Sequence, residues 1–118
     1  EDSRGRITTA WQAGEPAAER ALKILDEVQR SYAVDAQRIA LVGWSMGGYG
    51  AWSLGAAYPK RWSAVAPISG GGDPNAVAGL KTVPVWAFHG VGDRLVPVSA
   101  TRQMVDALKA AGGNVAYT

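Results

Sequence analysis

A single serine stands between two glycines in Gly43-Trp44-Ser45-Met46-Gly47. A hydroxyl is a weak nucleophile until the backbone thrusts it out of the fold and a base takes its proton. The G-x-S-x-G spacing serves the first need. Where it joins an apolar strand to a helix, it forces the serine into a strained turn at the strand's end. Gly43 and Gly47 are expected to be small because strand and helix pass close there. The Met46 backbone N–H would lie at the positive end of the helix, where an oxyanion develops. Two phosphate-binding readings of the same stretch fail. A dinucleotide fingerprint needs glycine where Ser45 stands, and a P-loop begun at Gly43 needs lysine where Tyr49 stands.

The nucleophile also needs a base, and the base needs an acid to orient it. Asp93, in His89-Gly90-Val91-Gly92-Asp93, follows an apolar run on a glycine-bearing loop. It could be that acid. Gly92-Asp93 is equally good turn chemistry, and placement alone does not separate the two readings. Asp35, Asp73 and Asp106 read as structural. His89 is the only histidine in the sequence. It precedes the acid, whereas elbow enzymes run serine, acid, then histidine. It therefore reads as a strand-end residue shaping the acid loop. The tryptophans at 11, 44, 52, 62 and 86 read mostly as core, with Trp44 beside Ser45 as a pocket-lining candidate.

These residues must be positioned by an α/β scaffold. Gly14-Glu15-Pro16 opens a helix, with proline suited to its first position. Its apolar stripe is Ala18, Ala21, Leu22, Leu25, Val28 and Tyr32. Ile39–Gly43 is short and apolar throughout, the pattern of a parallel strand buried on both faces. A second helix is predicted over Met46–Ala57, stopping before Pro59. Strand candidates follow at 62–69 and 83–90. Between them, 70–82 is loop with one helical turn. Ser99 is expected to cap a third helix, with a stripe of Thr101, Met104, Val105, Leu108 and Ala111 and a stop at Gly112. Asn114–Thr118 begins a fourth strand. Residues 1–14 are polar and irregular. The alternation of strand and helix predicts a parallel sheet of three to four strands flanked by helices, with right-handed crossovers, in one domain over residues 1–118.

The 118 residues suffice for one core. With 47% hydrophobic and 19% charged residues the balance is globular. The net charge is +2. The basic residues (Arg38, Lys60, Arg61, Lys81, Arg94, Arg102 and Lys109 among them) are scattered, which argues against a nucleic-acid surface. No cysteine is present, so disulfides, thiolate catalysis and cysteine zinc sites are excluded. No stretch reaches the ~18 apolar residues of a membrane span. The reading assigns no metal and no cofactor.

With these residues in hand, the sequence resembles the α/β-hydrolase superfamily. It looks most like the phospholipase/carboxylesterase-like branch, with its feruloyl esterase, polyhydroxybutyrate depolymerase and peptidase relatives. The resemblance is carried by DAQRIALVGWSMGGYGAWSLGAAYPKRWSAVAPISGGGDP (35–74) and VPVWAFHGVGDRLVPVSATRQMVDALKAAGGNVAYT (83–118). It implies a serine hydrolase acting on a small-molecule ester through an acyl-enzyme. Ser45 is then the nucleophile, Asp93 the triad acid and Met46 N–H an oxyanion donor, with Gly70 edging the pocket. It also implies upstream strands bearing a second oxyanion N–H, and a base histidine on a loop after the strand begun at Asn114. The sequence thus looks like a central segment of such a domain. A secreted or periplasmic location is the one the resemblance favours. The competing reading is a non-catalytic α/β module completed by a partner or a second copy. A sheet lacking its upstream strands would expose an apolar edge at Ile39–Gly43 or its neighbour, and such edges invite self-association.

Overall fold

The computed structural model describes residues 11–118. The first ten residues of the expected irregular lead, and so part of the expected single domain, lie outside the described residues. Residues 11–15 form turns. Helix α1, Pro16–Ser31, starts on its proline, with Glu19 in the first turn and Arg30 in the last, as the helix dipole favours. Its stripe is shorter than expected. Ala18 and Leu22 are buried and Leu25 partly so, but Val28 and Tyr32 are exposed. The far end of α1 overshoots the surface it packs on. Tyr58 donates its hydroxyl to Glu19 (3.3 Å) and Arg61 pairs with Asp26 (2.7 Å), which ties α1 to the segment after the next helix.

Strands β1 (Ala40–Trp44), β2 (Ala64–Ile68), β3 (Val85–Ala87) and β4 (Val115–Tyr117) form one parallel sheet in sequence order. Helix α2 (Met46–Ala57) and a 3-10 turn (Pro59–Arg61) link β1 to β2. A second 3-10 turn (Val77–Leu80) lies between β2 and β3, and α3 (Val98–Ala110) leads to β4. Leu41, Val65, Val85 and Val115 share one face of the sheet, since strand residues alternate. All four join the core with Ala18 and Leu22 of α1, Trp52 and Leu54 of α2, and Met104 and Leu108 of α3. The three helices therefore stand on one face.

That sidedness corrects the reading of β1 as buried on both faces. Ala40, Val42 and Trp44 are exposed, Trp44 at 74%. Among the described residues β1 is an edge strand, and none of these three joins the core cluster. The opposite face carries instead a tile of Trp86 and Phe88, with ring centroids 4.9 Å apart. The expectation that the tryptophans are mostly core fails, for Trp44 and Trp86 because they lie on that outer face and for Trp11 because it lies in the turn before α1. Trp52 and Trp62 are buried, while Trp11, Trp44 and Trp86 are exposed.

Helix α3 begins at Val98, one residue before the expected cap. Proline's fixed φ makes Pro97 the turn into the helix, and Ser99 falls inside the first turn. The other end is as expected. Gly112 takes φ +85°, and the Gly112 and Gly113 N–H groups bond Lys109 O and Leu108 O. Among the described residues no helix is long and apolar enough to cross a membrane.

Candidate active site

The parallel strands all present their carboxyl ends to one side, and a staircase of backbone bonds marks that side. Ser45 N–H donates to Ile68 O (2.8 Å), Ser69 N–H to Phe88 O (2.8 Å), and His89 N–H to Thr118 O (3.1 Å). Ser45 and Ser69 thus directly follow β1 and β2, and His89 lies two residues past β3. With strands about 4.8 Å apart, Ser45 and His89 are separated by roughly 10 Å across the sheet.

Ser45 has φ 57° and ψ −115°. That conformation costs a residue with a side chain about 1–3 kcal/mol and persists only where its surroundings impose it. The surroundings are glycines. A Cβ on Gly43 would stand 1.9 Å from Gly47 O, and one on Gly48 would stand 2.5 Å from Ile68 O. Gly47 differs from expectation, since a Cβ there would meet nothing within 4 Å. Gly47 contributes its carbonyl to the close approach, and the space is made by Gly43. Beyond the elbow, Gly48 N–H and Tyr49 N–H donate to Ser45 O, which starts α2 directly from the serine. Met46 is the first residue of that helix and is half-exposed.

The acid candidate sits on a loop closed by its own side chain. Asp93 Oδ1 accepts from Leu95 N–H and Val96 N–H, both at 2.9 Å, and Asp93 N–H donates to Gly90 O (3.2 Å). The Val96 and Leu95 donors hold the carboxyl below the usual aspartate range. His89 adds to this and desolvation opposes it. Asp93 Oδ2 faces His89 Nε2 at 3.5 Å.

His89 is turned inward. Its ring is fully buried, with Nδ1 at 2.7 Å from Thr101 Oγ1 and Nε2 at 2.8 Å from Val96 O. Both ring nitrogens are engaged away from Ser45, which agrees with reading it as a residue that shapes the acid loop. Gly70 is buried: a Cβ there would come within 2.5 Å of the Gly48 and Tyr49 backbone. Its carbonyl accepts from Trp52 Nε1–H (3.2 Å) and Thr101 Oγ1–H (2.6 Å). Trp44 is exposed beside the serine. Asp35 and Asp73 close local turns, through Gln37 N–H and Asn75 N–H.

Three features escaped the sequence reading. Ser69, at φ 52°, is a second strained residue beside the first. Ser69-Gly70-Gly71-Gly72 was the visible signal, but nothing in it says which residue carries the strain. Thr101 was visible only as one position of the α3 stripe. A cavity of about 280 Å³ between the 12–13 turn, α2 and the 73–77 loop is lined by Tyr49, Trp52, Ser53 and Asp73, and neither Ser45 nor Asp93 reaches it. Burial in its wall pushes the Tyr49 hydroxyl up from its ordinary pKa. Among the described residues no cluster of His, Asp and Glu suits a metal ion.

Comparison with known proteins bears on this arrangement. The family model described as "Putative esterase" matches residues 8–111. A bifunctional acetylxylan esterase/xylanase of Neocallimastix patriciarum is 31% identical over 92 residues, which are 78% of this chain and 12% of that protein. The crystal structure of a thermostable esterase aligns with a TM-score of 0.85 at 39% identity, covering 88% of this chain and 28% of the other. An acylaminoacyl peptidase of Pyrococcus horikoshii shares the fold with a TM-score of 0.79 at 15% identity, over 93% and 23% of the two chains. The chain thus spans a minor part of the length of each. The α/β-hydrolase fold expected from the sequence is the fold these structures share.

Proposed function

From a chain that belongs to the Esterase family, we propose the nucleophile and acid half of a serine carboxylic-ester hydrolase. Ser45 is its nucleophile, Asp93 its triad acid and Met46 N–H one of its oxyanion donors. The observation that carries this reading is the backbone of Ser45, a strained serine at a strand-to-helix turn. Asp93 lies at the same end of the sheet and is already ionised and fixed by two N–H groups.

The reaction then runs in two halves. Ser45 Oγ attacks the ester carbonyl carbon while its proton passes to a base, and the carbonyl oxygen gains charge against Met46 N–H and the positive end of α2. The tetrahedral species collapses, the base protonates the departing alkoxide, and an acyl-Ser45 ester remains. Water, deprotonated by the same base, releases the carboxylic acid and restores the hydroxyl. The base is a histidine other than His89, whose ring is committed to Thr101 and Val96. It comes from the remainder of a longer polypeptide, as the short span of the chain along its relatives supports. Asp93 Oδ2 is the oxygen left to orient it.

The test uses the full polypeptide with p-nitrophenyl acetate and an alkyl fluorophosphonate. The expected results are a fall of about 10⁶-fold in kcat for Ser45→Ala and an adduct on the Ser45 peptide of the unmutated protein. Turnover that survives Ser45→Ala, or an adduct on another serine, would overturn the assignment.

A further inference from the structure

His89 is buried, polar and outside the reaction described above, yet it touches three segments. Its ring joins the acid loop through Val96 O and Asp93, α3 through Thr101, and by way of Thr101 the Gly70 carbonyl beside the elbow helix. The contacts form a line: Val96 O, imidazole, Thr101 Oγ1, Gly70 O. The two carbonyls at its ends can only accept. Three contacts therefore need three protons. The Thr101 hydroxyl supplies one and a neutral imidazole one more. Only a ring protonated on both nitrogens completes the line. Nδ1–H then donates to Thr101 Oγ1 while the hydroxyl donates to Gly70 O at 2.6 Å, and Nε2–H donates to Val96 O. A buried cation needs a counter-charge. The Asp93 carboxylate faces Nε2 at 3.5 Å.

We propose that His89 is a positioning residue, an imidazolium that clamps the acid loop to α3 and the Gly70 loop and so fixes where the Asp93 carboxylate points. This rests on reading Asp93 as the triad acid. The same contacts explain why His89 is not the base: removing either ring proton breaks the line that holds the acid.

The decisive experiment is a double-mutant cycle in the full polypeptide, with His89→Gln and Asp93→Asn. Glutamine keeps a polar side chain but cannot donate from both ends. His89→Gln alone is expected to lower kcat about tenfold with KM within about twofold, because the acid is mispointed while the ester pocket is untouched. In the Asp93→Asn background it is expected to change kcat less than about twofold, since the group it acts through is already disabled. A tenfold loss in both backgrounds, or none in the first, overturns the proposal. A second readout needs no His89 variant. In ¹⁵N-histidine spectra of the unmutated polypeptide, the ring whose signals move on Thr101→Val is expected to carry protons on both nitrogens near neutral pH. One bare nitrogen would overturn the imidazolium. Should Asp93→Asn leave turnover intact, the triad reading fails, and the spectrum still decides the state of the ring by itself.

Discussion

The elbow at Ser45 and the loop at Asp93 end two strands of one sheet, yet different forces hold them. The elbow is held by shape. Its serine is strained, and no side-chain hydrogen bond caps the helix it opens. What fixes it is the backbone of α2 lying where a Gly43 side chain would be. The acid loop is held by polar bonds. Asp93, His89 and Thr101 between them satisfy Leu95, Val96 and Gly70. A nucleophile must not move, and steric enforcement suits it. An acid must stay charged and aimed, and hydrogen-bond donors do both at once.

The largest expected effect breaks the acid side without touching its shape. In Asp93→Asn the amide oxygen can still accept from Leu95 and Val96 N–H groups, so the loop should stand. The charge proposed to orient the base is gone. A fall of about 10⁴-fold in kcat is expected, in a polypeptide that is still folded and only modestly less stable than the unmutated one. A loss below tenfold would show that Asp93 only closes a turn. The next effect breaks the elbow side by shape alone. Gly43→Ala places a methyl 1.9 Å from Gly47 O, and overpacking against backbone should cost about 3 kcal/mol or more. Gly47→Ala, with open space for its methyl inside α2, should be neutral or stabilise by up to about 1 kcal/mol. Urea unfolding of the two variants measures the contrast, and equal losses would refute it.

The two regions were also unequally legible. The elbow was readable from residue types because its geometry needs glycine at a fixed distance, and a missing side chain shows in sequence. Even so, Gly43 and Gly47 looked equivalent, although only one of them makes room. The acid loop was readable as a turn. Its proposed role comes from resemblance, because an Asp93 that closes a turn and an Asp93 that serves a triad would use the same carboxylate. Thr101 could not be found. A threonine in an apolar stripe looks like one more β-branched core residue, and its partners are 12 and 31 residues away in sequence. The strands were placed well, but the sidedness of β1 was not. A short apolar run reads the same whether one face or two are covered.

A smaller effect sharpens the steric side. Glycine adopts the Ser45 conformation with little penalty, so Ser45→Gly should relieve part of the strain. A gain of about 1 kcal/mol is expected, the strain released less the extra freedom glycine gives the unfolded chain. Activity should vanish together with the hydroxyl. Ser45→Ala, which keeps the Cβ and the strain, should show no such gain. Paired denaturation curves of the two variants check this, and a Ser45→Gly protein no more stable than Ser45→Ala would mean that the elbow stores no strain.

The smallest effect separates the two regions by pH. Asp93 has its folded-state pKa lowered by the Val96 and Leu95 N–H groups, with His89 adding to them. A lowered carboxylate pKa contributes stability that is present above the unfolded value, about 3.9, and is lost as pH falls through the folded one. The difference in urea midpoint between the unmutated polypeptide and Asp93→Asn should therefore be widest near neutrality. It should narrow on acidification below the ordinary aspartate range, where the unmutated carboxyl takes up a proton and comes to resemble the neutral amide. Gly43→Ala removes no charge and adds none, so its deficit should stay level over the same range. A Gly43→Ala deficit that tracks pH as the Asp93→Asn deficit does would mean that both ends of the site are held by the same polar network. A level Asp93→Asn deficit would mean that its two N–H partners hold the carboxyl no more tightly than water does.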